Sequence, residues 1–381
     1  MSITNIGLKK LEAIVMYSHD LDRSRRFYVD QLDFAEIGGS DEHITREGGQ
    51  KTAVFQAGEC TVLVEQPVRA ESRAARYLRK HPQGVGALVF EVEDIEHTFS
   101  VLEKRGATPI SEVITHHDDH GSLHTFSITT PLGGTTFRFV ERQGYGGLFP
   151  GFKARETTTN SNRFGFQQFD HVTSNFETMK PALLWMEHVL GFEAYWDIEF
   201  HTNDVAPNSQ VGSGLRSQVM WDRHSGIKFA NNEPWRPFFK ASQINIFAED
   251  HRGDGIQHVA MTVGDIITSV DGLRQQAVNF METPSTYYAA LPQRIVDSGI
   301  GSIDENIAEL QALGILVDGD KDKSYMLQIF LQDAAEYHQD EAAGPFFYEI
   351  IQRKGDRGFG GGNFRALFES IERAQTMTGR L

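Results

Sequence analysis

The chain of 381 residues has one cysteine, Cys60, so no internal disulfide can form and a reducing cytoplasm is the expected setting. No run approaches the eighteen apolar residues that a membrane span needs. The opening MSITNIGLKKLEAIVMY has no long apolar core, so no secretory signal is expected. Basic residues are scarce beside acidic ones, 36 against 52, leaving a net charge of −16. That balance excludes a general nucleic-acid binder and favours a soluble protein. Phenylalanine is abundant, at 27 residues, and many fall in the last third. Most such rings fill cores, but a cluster of them can also wall a pocket.

The length suits two domains, each with its own core. Residues 11–16 read as a strand, 20–32 as a helix capped by Asp20, and 52–56 and 61–65 as strands. A second cycle has a strand at 85–92, a helix at 94–105 and strands at 124–129 and 135–142. Residues 143–163, rich in Gly, Thr, Asn and Ser, read as a linker. The pattern then recurs. FDHVTSN (169–175) opens a third module, which reaches LGF as the first reaches LDF. Residues 255–281 lie over 84–110 without a gap, and FFYEIIQR (346–353) lies over TTFRFVER (135–142), matching Arg353 to Arg142. The expected fold is therefore α+β. Domains 1–150 and 151–381 each hold two strand–helix–strands (βαβββ) modules that form an open, barrel-like mixed sheet.

The repeat isolates the chemistry. His171 matches Ala13, His258 matches Ala87, and Glu349 matches Arg138. A lone buried histidine is more often a hydrogen-bonded core residue than a ligand. Three such residues at equivalent strand positions, all absent from the other copy, point to ligation. Glu349 sits among Phe346, Phe347, Tyr348, Ile350 and Ile351, where an unpaired carboxylate would carry a large desolvation cost. Two histidines and one carboxylate leave metal positions open and are the ligand set of non-haem Fe(II) oxygenases. No thiolate ligands accompany them, which argues against structural zinc.

The motifs FDHV, GIQHVA, YMLQIF, FFYEIIQR and GFGGGNFRALFESIE resemble the 4-hydroxyphenylpyruvate dioxygenases of the vicinal-oxygen-chelate superfamily. The likeness is specific over nearly all of 166–377; the first half matches in architecture more than in motif. The resemblance implies an Fe(II) enzyme with ligands His171, His258 and Glu349. It would take 4-hydroxyphenylpyruvate and dioxygen to homogentisate and carbon dioxide, on the route of tyrosine breakdown. Gln257, Gln243, Ser217 and Asn232 would make polar contacts in the substrate pocket, and Gln328 would lie close to the metal. Phe330 and Phe364 would sandwich the ring, with Phe347, Phe359 and Phe368 as further wall. Asn363 would anchor a lid helix from about 363 to 375, hinged at 358–362.

Ala13, Ala87 and Arg138 cannot rebuild a metal site, so the first domain is expected to be non-catalytic; a homo-oligomer, dimer or tetramer, is also expected. Many members carry proline where this chain has Ala230. The alternative activity is that of a 4-hydroxymandelate synthase, with the same substrate and metal. Such synthases carry a smaller aliphatic residue at the position of Phe364. A non-enzymatic binding protein of the superfamily would lack the triad.

Three other signals are set aside. His116–His120 reads as a solvated loop in the half without ligands. Residues 318–322 begin like a calcium loop but have Lys323 and Ile329 where glycine and glutamate are needed. Residues 358–362 are glycine-rich without the strand and helix of a dinucleotide site.

Overall fold

The computed structural model describes residues 5–156, 161–201, 214–237, 239–321 and 323–363. Nine strands make the first sheet: β1 (Leu8–Tyr17), β2 (Ala35–Ser40), β3 (Gln50–Ala57), β4 (Cys60–Pro67), β5 (Gly84–Val92), β6 (Ile114–His117), β7 (Ser122–Thr129), β8 (Thr136–Gln143) and β9 (Phe152–Ala154). Eight make the second: β10 (Phe166–Asn175), β11 (Glu193–His201), β12 (Gly214–Trp221), β13 (Lys228–Pro234), β14 (Gly255–Val263), β15 (Leu316–Lys321), β16 (Ser324–Phe330) and β17 (Phe347–Lys354). The order is 6-7-8-5-1-4-3-2-9 in one and 11-12-13-10-14-17-16-15 in the other. Both are mixed sheets with helices packed on them, as the α+β expectation had it. Among the described residues no helix is long and apolar enough to cross a membrane.

The two sheets share a register to the residue. Ala13 stands opposite Val89 where β1 meets β5, and His171 stands opposite Ala260 where β10 meets β14. Val89 pairs with Arg138 on β8 as Ala260 pairs with Glu349 on β17. In each half the first strand runs antiparallel to the start of the second module and parallel to the end of its own.

Local sequence sets the helix starts. Asp20 accepts from the Arg23 amide at 2.8 Å and caps Leu21–Arg25, which continues as a wider turn through Arg26–Gln31. Asp94 and Asp265 cap the corresponding helices Ile95–Lys104 and Ile266–Gln275. The stretch expected to be only a linker supplies β9, which pairs with β2 through Gly38, Gly39 and Ser40. A Cβ on Gly38 would lie 2.4 Å from the Lys153 carbonyl, so the glycine permits this pairing. The helices Ser285–Asp297 and Ile307–Leu313 are inserted between the last helix of the repeat and β15.

One face of each sheet enters a common hydrophobic core, with Ile14, Leu88 and Phe137 from the first and Val172, Val259 and Ile350 from the second. Alternation along the strands turns the neighbours of these residues to the opposite face. In the first sheet that face is apolar around Ala13 and Ala87, and it also carries the buried Glu65 with Arg138 near it. Ala13, Val15, Ala87 and Val89 pack under Tyr77, Leu78, Leu148 and Phe149. In the second sheet it carries His171, His258 and Glu349.

Polar contacts fasten the halves. The Tyr28 and Tyr348 hydroxyls share a hydrogen bond of 2.8 Å, and Arg23 pairs with Asp340 at 2.6 Å. The His81 and His251 rings stack with centroids 4.6 Å apart, and the Tyr77 hydroxyl lies 3.1 Å from His251 Nε2. Burial holds the pKa of His251 down to about 4, and that of His81 is lowered for the same reason. The unfolded chain, with an ordinary imidazole near 6.5, takes up the proton first as pH falls. His251 therefore contributes stability above pH 6.5 that is lost as pH falls to about 4, on the order of 3 kcal/mol in all. We expect His251→Phe to flatten that part of the profile, as read from urea midpoints between pH 4 and 7. An unchanged acid slope would refute the assignment.

Candidate metal centre

Three adjacent strands bring the ligands together. His171 lies on β10, His258 on β14 and Glu349 on β17, and β14 runs between the other two. Glu349 Oε2 is 3.3 Å from Nε2 of both imidazoles. All three side chains are buried, and their ligand atoms lie within 4.8 Å of one another. Among the described residues no other group of three such side chains comes together.

Each imidazole is oriented from behind. His171 Nδ1 is 2.8 Å from Asp170 Oδ1, and His258 Nδ1 is 3.2 Å from Gln257 Oε1. An acceptor at Nδ1 holds a ring proton there, so Nε2 is the atom that would offer a lone pair to a cation beside Glu349. Asp170 is itself gripped by Arg353, whose Nε and Nη2 donate to its two oxygens at 2.6 and 2.7 Å. This two-point ion pair fixes the plane of the carboxylate. The same frame exists without a metal site in the first half, where Arg142 donates to Glu12 at 2.5 Å.

The charges fit a cation. Burial alone would raise the Glu349 pKa, but the two imidazoles outweigh it and hold the carboxyl down to about 2. Burial works against charge on both histidines as well. At His171 it is overcome by Glu349 and Asp170, and the pKa is raised. At His258 burial prevails over the pull of Glu349, and the pKa is lowered. The two rings stand at equal distance from Glu349; the carboxylate behind His171 raises that ring, and the charge of His171 in turn holds His258 down. A carboxylate and two imidazoles with their Nε2 atoms turned inward suit a divalent transition ion, with sides left open to other ligands.

Aromatic rings close the surroundings. Phe347 stacks on His258 at 4.9 Å, Phe330 meets the same ring edge-on at 5.9 Å, and Phe359 meets His171 edge-on at 5.0 Å. Gln328 is buried on β16 and reaches Gly360, where an added Cβ would lie 2.6 Å from Gln328 Oε1. With φ at +67° as well, that position requires glycine. Asn232 and Ser217 are paired across β13 and β12 and buried. Gln243 is buried at the start of the helix Gln243–His251. Asn363 is buried and accepts from the Tyr287 hydroxyl at 2.8 Å. Phe364, Phe368 and the expected lid helix lie outside the described residues. Gln257, expected among the pocket amides, reaches His258 in this structure. Asp170 and Arg353 were not singled out as site residues; the signal was an acid directly before His171 and an arginine repeated in both halves.

A model of the glyoxalase/bleomycin resistance protein/dioxygenase superfamily matches residues 10–139 and 168–294. The 4-hydroxyphenylpyruvate dioxygenase of Dictyostelium discoideum is 36% identical, over 87% of this chain and 88% of the relative. That of Caenorhabditis elegans is also 36% identical, over 81% and 77%. The relative from Coccidioides posadasii is 30% identical over 96% and 92%. The chain belongs to the 4-hydroxyphenylpyruvate dioxygenase family. Its fold is shared by the solved structure of a substituted 4-hydroxymandelate synthase from Streptomyces coelicolor, with a TM-score of 0.78, 24% identity and coverage of 97% and 99%.

Replacing His258 with alanine is expected to abolish stoichiometric Fe(II) binding. Asp170→Asn should keep the fold but weaken Fe(II) by about 10–100-fold, the usual effect of losing the partner of a ligating imidazole. Glu12→Gln, at the matching pair of the other half, should leave the metal affinity unchanged. Equilibrium dialysis against Fe(II) without oxygen measures all three. Equal affinities for Asp170→Asn and the unmodified protein would count against the orienting role.

Proposed function

We infer that the chain is an Fe(II)-dependent dioxygenase that converts 4-hydroxyphenylpyruvate and dioxygen to homogentisate and carbon dioxide. The observation that carries this reading is the buried cluster of His171, His258 and Glu349, backed by Asp170 and Gln257, in a chain of this family. Bound by these residues, Fe(II) would supply the redox chemistry that dioxygen needs and positive charge for a 2-oxo acid. The protein's own contribution is positioning and exclusion of water. Phe330, Phe347 and Phe359 present ring faces and edges beside the ligands, which suits a flat aromatic substrate. Gln328 and Gln243 add amide groups, and Asn232 and Ser217 add polar atoms at the far end. Water kept from the centre cannot divert the oxidising step.

The first domain, which we place at 1–150, is a support rather than a second catalyst. The positions matching the triad hold Ala13, Ala87 and Arg138, and apolar side chains pack over the two alanines. The reaction places the protein on tyrosine breakdown, and we propose a cytoplasmic homo-oligomer.

Homogentisate is favoured over 4-hydroxymandelate by the family relationship and by the bulk of Phe364. The two outcomes differ in which carbon is oxidised, and a displacement of about 1 Å can change such a rate on the order of a hundredfold. Incubation with Fe(II), dioxygen and 4-hydroxyphenylpyruvate should give homogentisate and carbon dioxide in equal amounts, identified by mass and by NMR. Phe364→Ile should move part of the product to 4-hydroxymandelate. A predominance of 4-hydroxymandelate from the unmodified protein would overturn the assignment.

A further inference from the structure

Four residues beyond His171 on β10, and by alternation on the same face, stands Asn175. It is directly opposite Asn232 on β13, which is opposite Ser217 on β12. The three form one row across the sheet, and their exposures are 0%, 2% and 2%. Asn232 Nδ2 donates to Asn175 Oδ1 at 3.0 Å. That bond leaves Asn175 Nδ2, Asn232 Oδ1 and Ser217 Oγ buried without a partner. A buried polar atom left unpaired costs about 1–3 kcal/mol. The joined amides therefore offer one free donor and one free acceptor. Turning both carboxamides over exchanges the atoms but leaves the same count.

A hydroxyl both donates and accepts, so it satisfies both atoms. At about 3.3 Å per residue the row lies roughly 13 Å along the strand from His171. A phenol carrying a short oxo-acid side chain can extend toward it from the metal.

We propose that Asn175 is a specificity-determining residue. Its free Nδ2 donates to the oxygen of the substrate's ring hydroxyl, while Asn232 Oδ1 accepts the hydroxyl proton. The proposal rests on the functional reading above, which supplies the phenol. It adds to the pocket a residue that the motifs did not mark.

The test compares 4-hydroxyphenylpyruvate with phenylpyruvate, which lacks only the ring hydroxyl. Binding to the Fe(II)-loaded protein is measured by calorimetry without oxygen. The unmodified protein should prefer the hydroxylated acid by at least about tenfold, the worth of one buried hydrogen bond. In Asn175→Ala the preference should fall to within about threefold. Asn175→Asp keeps the shape and the bond from Asn232 but has no donor, and should lose the preference too. It serves if the alanine variant does not fold. Ser174→Ala removes an unpaired buried hydroxyl from the opposite face and should leave the preference intact. A preference unchanged in both Asn175 variants would overturn the proposal alone, and would mean that the row holds a buried water instead. No preference in the unmodified protein would overturn it, and no binding of either acid would overturn the functional reading with it.

Discussion

A carboxylate buried in the middle of a sheet is the constraint on which the second half depends. Glu349 is 3% exposed and sits on β17 with its Oε2 3.3 Å from two buried imidazoles. Isolated, it would neutralise itself by taking up a proton. The imidazoles prevent this, and each is held by its own acceptor, Asp170 or Gln257. Asp170 in turn needs Arg353. Charge is thus balanced outward in layers, from Glu349 to His171 to Asp170 to Arg353. Breaking a buried pair by removing one partner typically costs about 3–5 kcal/mol, so the layers stand together. A divalent ion at the centre would relieve the requirement that an imidazole be charged, so the arrangement suits one.

The first half shows which part of this is scaffold. Glu12 and Arg142 repeat the Asp170–Arg353 pair at the same place in the other sheet, where no ligand lies beside it. The arginine ties the first strand of one module to the last strand of the next, and both halves need that tie. The second half uses it again to fix an imidazole. What separates the halves is the content of the inner face. Alanine at 13 and 87 lets apolar side chains from the helix Arg73–Leu78 and from residues 148–152 pack down. Histidine and glutamate keep the equivalent face polar and need a different cover.

The architecture and the ligand cluster were legible because the chain carries its own comparison. Aligning 255–281 with 84–110 placed His258 opposite Ala87, and the strand register repeats that match. Boundaries were less legible. The segment 143–163 is rich in turn-forming residues, and nothing in it announces β9, which Gly38 admits by accepting the close backbone of Lys153. The orienting network was hidden for a different reason. Asp170 and Arg353 are 183 residues apart, and only the curl of the sheet makes them neighbours. The family resemblance implies a pocket role for Gln257, while in the structure it meets His258 Nδ1. Its reach to Nδ1 depends on a rotamer that sequence does not encode.

Asn175 was missed on similar grounds, and its position explains why the site is built on strands. A loop could supply asparagine, but its backbone would move with its own sequence. On β10 the separation of His171 from Asn175 is set by the pleat, at about 3.3 Å per residue. Neighbouring strands at about 4.8 Å set the lateral spacing of Asn175, Asn232 and Ser217. The metal end and the hydroxyl end therefore share one ruler. The strands are anchored over that length by Val172, Val259 and Ile350, which belong to the core common to both halves. Packing in the half without ligands thus helps to fix the distance over which the other half reads its substrate.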